Sequence, residues 1–148
     1  MAGSDETSAK TPWHLWMVGV LSLLWNAVGA MDFTMTQVKN ESWMKHFTPE
    51  QLEYFYGFPP WVVVAWGAAT WGSLFGSLLL LLRRRLAVVV NLVVLVTMAL
   101  TFTHNYLLSD GMRIMGGGGA LAFTAIIVVI GVFLYVYARA MVRRGVLR

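Results

Sequence analysis

Along the chain, apolar residues collect into four long stretches separated by polar breaks, about Trp13–Phe33, Trp61–Leu82, Leu86–Leu108 and Gly117–Tyr137. A helix of about 20 mostly apolar residues crosses the hydrocarbon layer of a bilayer. Each stretch has that length. No Asp, Glu, Lys or Arg interrupts the second, third or fourth, and Asp32 stands at the far end of the first. The pattern predicts an all-α protein, a four-helix transmembrane bundle. Residues 13–138 form its membrane domain, between a polar tail over 1–12 and a basic tail over 139–148. The first eleven residues are polar and are expected to be disordered. A secretory leader ending at Val28-Gly29-Ala30 is the competing reading of residues 1–30. The mixed charge of the tail, the long apolar run and the Trp25-Asn26 pair all speak against it.

The longest break, about 34–60, contains one strong local signal. In Phe47-Thr48-Pro49-Glu50-Gln51-Leu52, Thr48 suits an N-cap, Pro49 the first helical position and Gln51 the return bond of a capping box. Phe47 and Leu52 are spaced as a hydrophobic staple. Tyr54, Phe55, Tyr56 and Phe58 follow, and Gly57 with Pro59-Pro60 ends the element. A short amphipathic helix over about 49–56 is therefore predicted, lying on the membrane surface with its aromatics in the headgroup layer. Its role is either a lid or a plain spacer. Asn40-Glu41-Ser42 matches a glycosylation triplet of a kind that arises often by chance. Trp13, Trp16, Trp43 and Trp61 fall where an aromatic belt would place them.

Within the spans, small and polar residues recur at helical spacing. Gly19, Ser22, Asn26 and Gly29 line the first. Ala65, Ala69, Gly72 and Gly76 line the second, next to Trp66, Thr70, Ser73 and Ser77. Thr97, Thr101 and His104 share an arc of the third, and Gly117, Ala120, Thr124, Gly131 and Tyr135 follow the fourth. Gly19, Gly29, Gly72, Gly76 and Gly131 are candidates for close helix packing. The polar set Asn26, Trp66, Thr70, Thr97, Thr101, His104 and Thr124 is biased to the outer half. It admits two readings. One is interhelical hydrogen bonding, at about 0.6 kcal/mol per bond; this is the favoured one. The other is a pocket for a neutral polar solute, with rings stacking on apolar faces and side chains bonding hydroxyls. Asp32 and His104, both near the outer boundary, are the possible titrating pair.

Charge adds direction. Lys and Arg near span ends stay in the cytoplasm. Lys10, Arg83, Arg84, Arg85, Arg139, Arg143, Arg144 and Arg148 fall on one side with Asp5 and Glu6, a net of +6. Lys39, Lys45 and Arg113 fall on the other with Asp32, Glu41, Glu50, Glu53 and Asp110, a net of −2, which together give the +4 of the chain. Both termini are thus expected in the cytoplasm, with Arg83, Arg84 and Arg85 against anionic lipids. Basicity here follows from topology, so no nucleic-acid partner is expected. Composition agrees with the spans, because 58% of the 148 residues are hydrophobic and 12% charged, where soluble domains carry about 25% charged residues.

Catalytic chemistry finds no footing. There is no cysteine, so no disulfide, thiolate site or thioether-linked haem. GxSxG, HExxH and the phosphate-binding GxxxxGK[ST] are missing. His14 falls on the opposite side from His46 and His104, so it cannot share a metal or haem with them. No span holds a lysine for a retinal-type Schiff base. Gly116–Gly119 could hold an anion before the fourth span, but an entry loop is the plainer reading. No enzyme activity, cofactor or metal is expected.

The run Thr11-Pro12-Trp13-His14-Leu15-Trp16, then Trp25-Asn26 and Asp32-Phe33-Thr34-Met35-Thr36-Gln37, with Tyr137-Ala138-Arg139-Ala140-Met141 near the end, resembles a family of small proteobacterial four-span membrane proteins. The likeness covers nearly the whole chain. That family is essentially uncharacterised and is sometimes labelled automatically as sugar transporters. The resemblance implies a bacterial inner membrane and transfers no functional residue. The expected function is a non-enzymatic accessory or assembly subunit acting through helix contacts within a larger membrane complex or homo-oligomer. The alternative is a small oligomeric transporter of a neutral polar solute such as a sugar, its pocket open to the periplasm. Four spans without repeat or mid-helix proline make a thin carrier.

Overall fold

A computed structural model describes residues 9–148; the expected disordered tail, with Asp5 and Glu6, lies mostly outside the described residues. Among these the fold is all-helical: α1 (Trp13–Gln37), α2 (Glu41–Met44), α3 (Pro49–Tyr56), α4 (Pro60–Leu81), α5 (Leu86–Thr103), a π-helical turn (His104–Leu108), α6 (Gly111–Ile114) and α7 (Gly118–Arg143). Four of them, α1, α4, α5 with its π turn, and α7, are long and apolar enough to cross a membrane. Two run past their expected ends. α1 continues to Gln37, its last turn carrying bonds from Thr34 and Thr36 to carbonyls four residues back. α7 continues to Arg143 because Ala138 and Met141 lie on its buried face.

Small residues set the helix contacts. At Gly19 of α1 a Cβ would collide with Leu81. On α4, a Cβ at Gly72 would lie 2.9 Å from Val94 Cγ2, and one at Gly76 would lie 2.9 Å from Asn91 Oδ1. The Gly72–Gly76 pair therefore faces α5. At Gly131 of α7 a Cβ would lie 3.2 Å from Met98 Cε of α5. Gly29 departs from expectation. A Cβ there would meet nothing within 4 Å, so Gly29 packs no helix of this chain. α4 rests against both α1 and α5, while α7 rests chiefly on α5. In the most apolar stretch of α7, 11% of residues are buried within the chain, against 28% in each of the other three.

The arginine-bearing ends of the four long helices converge. Leu15, Leu80, Ala87, Ala138 and Met141 form one apolar cluster there, joined by Val146 and Leu147 from the segment after α7. The tail over 144–148 is thus a packed strap. Its Arg148 N–H donates to Arg83 O at 2.8 Å, and Arg85 N–H donates to Arg148 O at 2.9 Å.

Helix ends explain two backbone outliers. After α4, Arg83 N–H bonds Leu80 O and Arg84 N–H bonds Leu79 O, the paired bonds of a Schellman stop. Arg83 holds the left-handed position with φ +54°, and Lys39 holds the same position after α1 with φ +53°. Glycine is usual there. A basic side chain costs backbone strain but sets a cation at the negative end of the helix dipole. Gly145 fills the matching position after α7.

Candidate functional site

The polar and aromatic side chains gather at the other end of the molecule, around the π-helical turn. α3 forms as its local chemistry requires. Thr48 accepts from Gln51 N–H, Gln51 Oε1 accepts from Thr48 N–H, and Pro49 stands in the first turn. Phe47 packs on Phe55, one turn beyond the expected staple partner, with ring centroids 5.4 Å apart.

α3 turns Tyr54 and Phe55 onto the protein, and Tyr56 stays exposed. Tyr54 OH bonds Ser109 Oγ at 2.8 Å and donates to Asn105 Oδ1 at 3.2 Å. Ser109 Oγ in turn donates to His104 O at 2.9 Å, one π turn back. Gly111 sits where a Cβ would run into the Asn105 carbonyl and lie 2.5 Å from the Tyr54 hydroxyl. A residue without a side chain is what lets α3, the π turn and α6 meet. Burial of the Tyr54 phenol raises its pKa above the ordinary value of about 10, with the Ser109 bond opposing. Gln51 Nε2 donates to Ile114 O, and Arg113 pairs with Glu50 at 2.9 Å on the surface. Tyr106 OH, from the same π turn, meets Thr124 Oγ1 of α7 at 2.6 Å.

Beneath α3 lies an edge-to-face aromatic group. The Phe58 ring stands 5.0 Å from Tyr54, 5.8 Å from Trp66 and 5.3 Å from His104. Phe33 is 5.0 Å from Trp66, and Trp61 is 5.7 Å from His104. These are favoured quadrupole geometries. His104 is buried, and its Nδ1 lies 3.3 Å from Asn105 Oδ1.

The structure disperses the set nominated from sequence. Asn26 is buried between α1 and α4, where Nδ2 donates to Ser77 Oγ at 2.9 Å and Ser73 O at 3.2 Å. Thr70, Thr97 and Thr101 each donate to a carbonyl of their own helix. Trp66 and His104 join the aromatic group, and Thr124 joins Tyr106. Asp32 and His104 do not meet: Asp32 accepts from Trp43 Nε1 at 3.0 Å. His14 bonds Tyr137 OH at the arginine-bearing end. No buried polar side-chain atom among the described residues lacks a partner, and no cluster of three metal-type ligands occurs among them. A surface hollow of about 400 Å³ opens beside α2, lined by Ser42, Trp43, His46 and Phe47. Sequence reasoning missed Tyr54, Asn105, Ser109 and Gly111 as a unit. The Ser109-Asp110-Gly111 turn signal after an apolar run was the available clue.

No protein family, curated protein or solved structure matches this chain.

Proposed function

We propose that the chain is an accessory or assembly subunit of a bacterial inner-membrane complex, acting through transmembrane helix contacts rather than by catalysis or transport. The observation that carries this reading is the sparse cover on α7. It rests chiefly on α5 and leaves Phe123, Val129, Val132 and Val136 outward. Polar groups inside the spans support the reading from the other side. Their hydrogen bonds are spent within the chain, on their own helices, between α1 and α4, or on α7 at Tyr106–Thr124 and His14–Tyr137. Little remains there to hold a solute.

In this reading the four helices form a bundle with the arginine-bearing end in the cytoplasm. The chain has no cysteine, so single Cys variants report topology directly. Arg84→Cys should be labelled only from the cytoplasm and Glu53→Cys only from the periplasm. Isolation from native membranes in mild detergent should bring a larger partner in fixed ratio, and a photo-crosslinker at Val129 should attach to it. Solute uptake by proteoliposomes of the chain alone, abolished by Asn26→Leu at unchanged expression, would replace this reading with the transporter.

A further inference from the structure

We propose that the arginine-bearing end holds an anionic phospholipid with two phosphates in its headgroup, in a site built where the 144–148 strap lies beside the α4–α5 turn. The backbone bonds from Arg148 to Arg83 and from Arg85 to Arg148 flank Arg84 on both sides. Those two bonds bring Arg84 and Arg148 side by side. Like charges so placed repel. The fold enforces the pairing all the same. Val146 and Leu147 are buried as anchors, Arg85 Nε donates to Leu147 O at 3.4 Å, and Arg83 takes a left-handed conformation with its side chain on Thr11 Oγ1.

Among the described residues no Asp or Glu side chain pairs with these arginines. Ion pairs among the described residues involve only Arg113, at the opposite end. Arg84, Arg85, Arg144 and Arg148 are all exposed. Guanidinium groups bind phosphate through two parallel hydrogen bonds, so adjacent pairs suit adjacent phosphates. The surroundings select a lipid over a soluble anion. Leu82 and Leu86, on either side of the turn, are 58% and 56% exposed, and Trp13 is exposed on α1. An occupant with an anionic head and acyl chains meets both surfaces. The inference rests on the membrane placement proposed above and not on the subunit role.

The test uses the full chain in phosphatidylcholine nanodiscs containing diphosphatidylglycerol, with retained lipid read by native mass spectrometry. One diphosphatidylglycerol should remain bound in preference to phosphatidylcholine. Arg84→Ala with Arg148→Ala should lower retention at least tenfold, and both positions are exposed, so the fold survives. Leu147→Gly should also lower it, since the strap is released while every guanidinium is kept. Equal loss from Arg139→Ala with Arg143→Ala would indicate bulk charge alone and overturn the site. Displacement by inorganic pyrophosphate at the concentration of the lipid would overturn it in favour of a soluble anion. Preferential retention that fails in discs the protein enters normally would overturn this inference alone. Failure to enter the discs would overturn the membrane placement with it.

Discussion

At the arginine-bearing end, helices α1, α4, α5 and α7 meet through aliphatic side chains, and the strap adds Val146 and Leu147 to that cluster. At the other end they are tied by rings and hydroxyls. Phe58, Trp66 and His104 stand edge to face, and Tyr54, Asn105 and Ser109 share hydrogen bonds. Between the ends, packing relies on small residues and on Asn26. The difference follows from the surrounding medium. Inside hydrocarbon, burying a leucine gains only packing, because lipid is as apolar as the protein. Beyond the hydrocarbon, water returns and apolar burial becomes a driving force again. With the spans in a bilayer as proposed, the strap lies where that force acts, so this end carries the largest expected effects.

Leu147→Ala breaks the comparison most directly. Leu147 is fully buried in the aliphatic cluster, and truncating such a residue costs about 2–5 kcal/mol. Reversible unfolding in mixed SDS micelles should show that loss, together with protease sensitivity near Arg143–Gly145. A change below about 1 kcal/mol would mean the strap does not hold the end together.

At the opposite end, Tyr54→Phe keeps the ring on Phe58 and removes two hydrogen bonds. The expected loss is about 1–2 kcal/mol, read in the same assay or as faster hydrogen exchange in α3. The pH dependence has a definite sign. Burial raises the phenol pKa in the folded protein, so the folded state favours the neutral form. The Tyr54 contribution is fully present below the unfolded value of about 10 and falls as pH rises above it. The gap between wild type and Tyr54→Phe should therefore narrow on moving from about pH 9 to about pH 11. A gap that widened would place the burial elsewhere.

How much of this was readable beforehand differs between the ends for the same physical reason. The long helices and α3 are local features. Apolar run length reports the first, and the Thr48-Pro49-Gln51 capping chemistry reports the second. The docking of the π turn is not local, because it depends on Tyr54 of α3 bonding Asn105 and Ser109 and on Gly111 leaving room for the Tyr54 hydroxyl. Val146-Leu147 is too short a run to signal burial, and Arg83 and Lys39 occupy positions where sequence rules expect glycine. The hydroxyl stripes misdirected attention because a helical Ser or Thr can bond its own preceding turn as readily as a neighbour. Thr70, Thr97 and Thr101 do so, whereas Asn26, whose amide reaches farther, crosses to α4.

That contrast gives a smaller test in the middle of the helices. Asn26→Leu removes bonds to Ser77 Oγ and Ser73 O. Interhelical bonds in membranes average about 0.6 kcal/mol each, so a loss of about 1 kcal/mol is expected. Thr70→Val, whose hydroxyl stays on its own helix, should cost less. Equal losses would show that Asn26 adds nothing between α1 and α4.

The smallest effect is expected from the one ion pair that joins α3 to α6. Arg113 meets Glu50 at 2.9 Å, but their side chains are 65% and 60% exposed. Water screens such a pair, and holding two long side chains in place costs entropy, so exposed pairs contribute about 0–1 kcal/mol. Arg113→Ala should lower stability by no more than about 0.5 kcal/mol, and the change should vanish in high salt. Tyr54 and Gln51 keep α3 in place without it, through bonds to the π turn and to Ile114 O. Release of α3 by Arg113→Ala, seen as exchange as fast as in Tyr54→Phe, would move the docking of this end from its buried rings and hydroxyls to its surface charge.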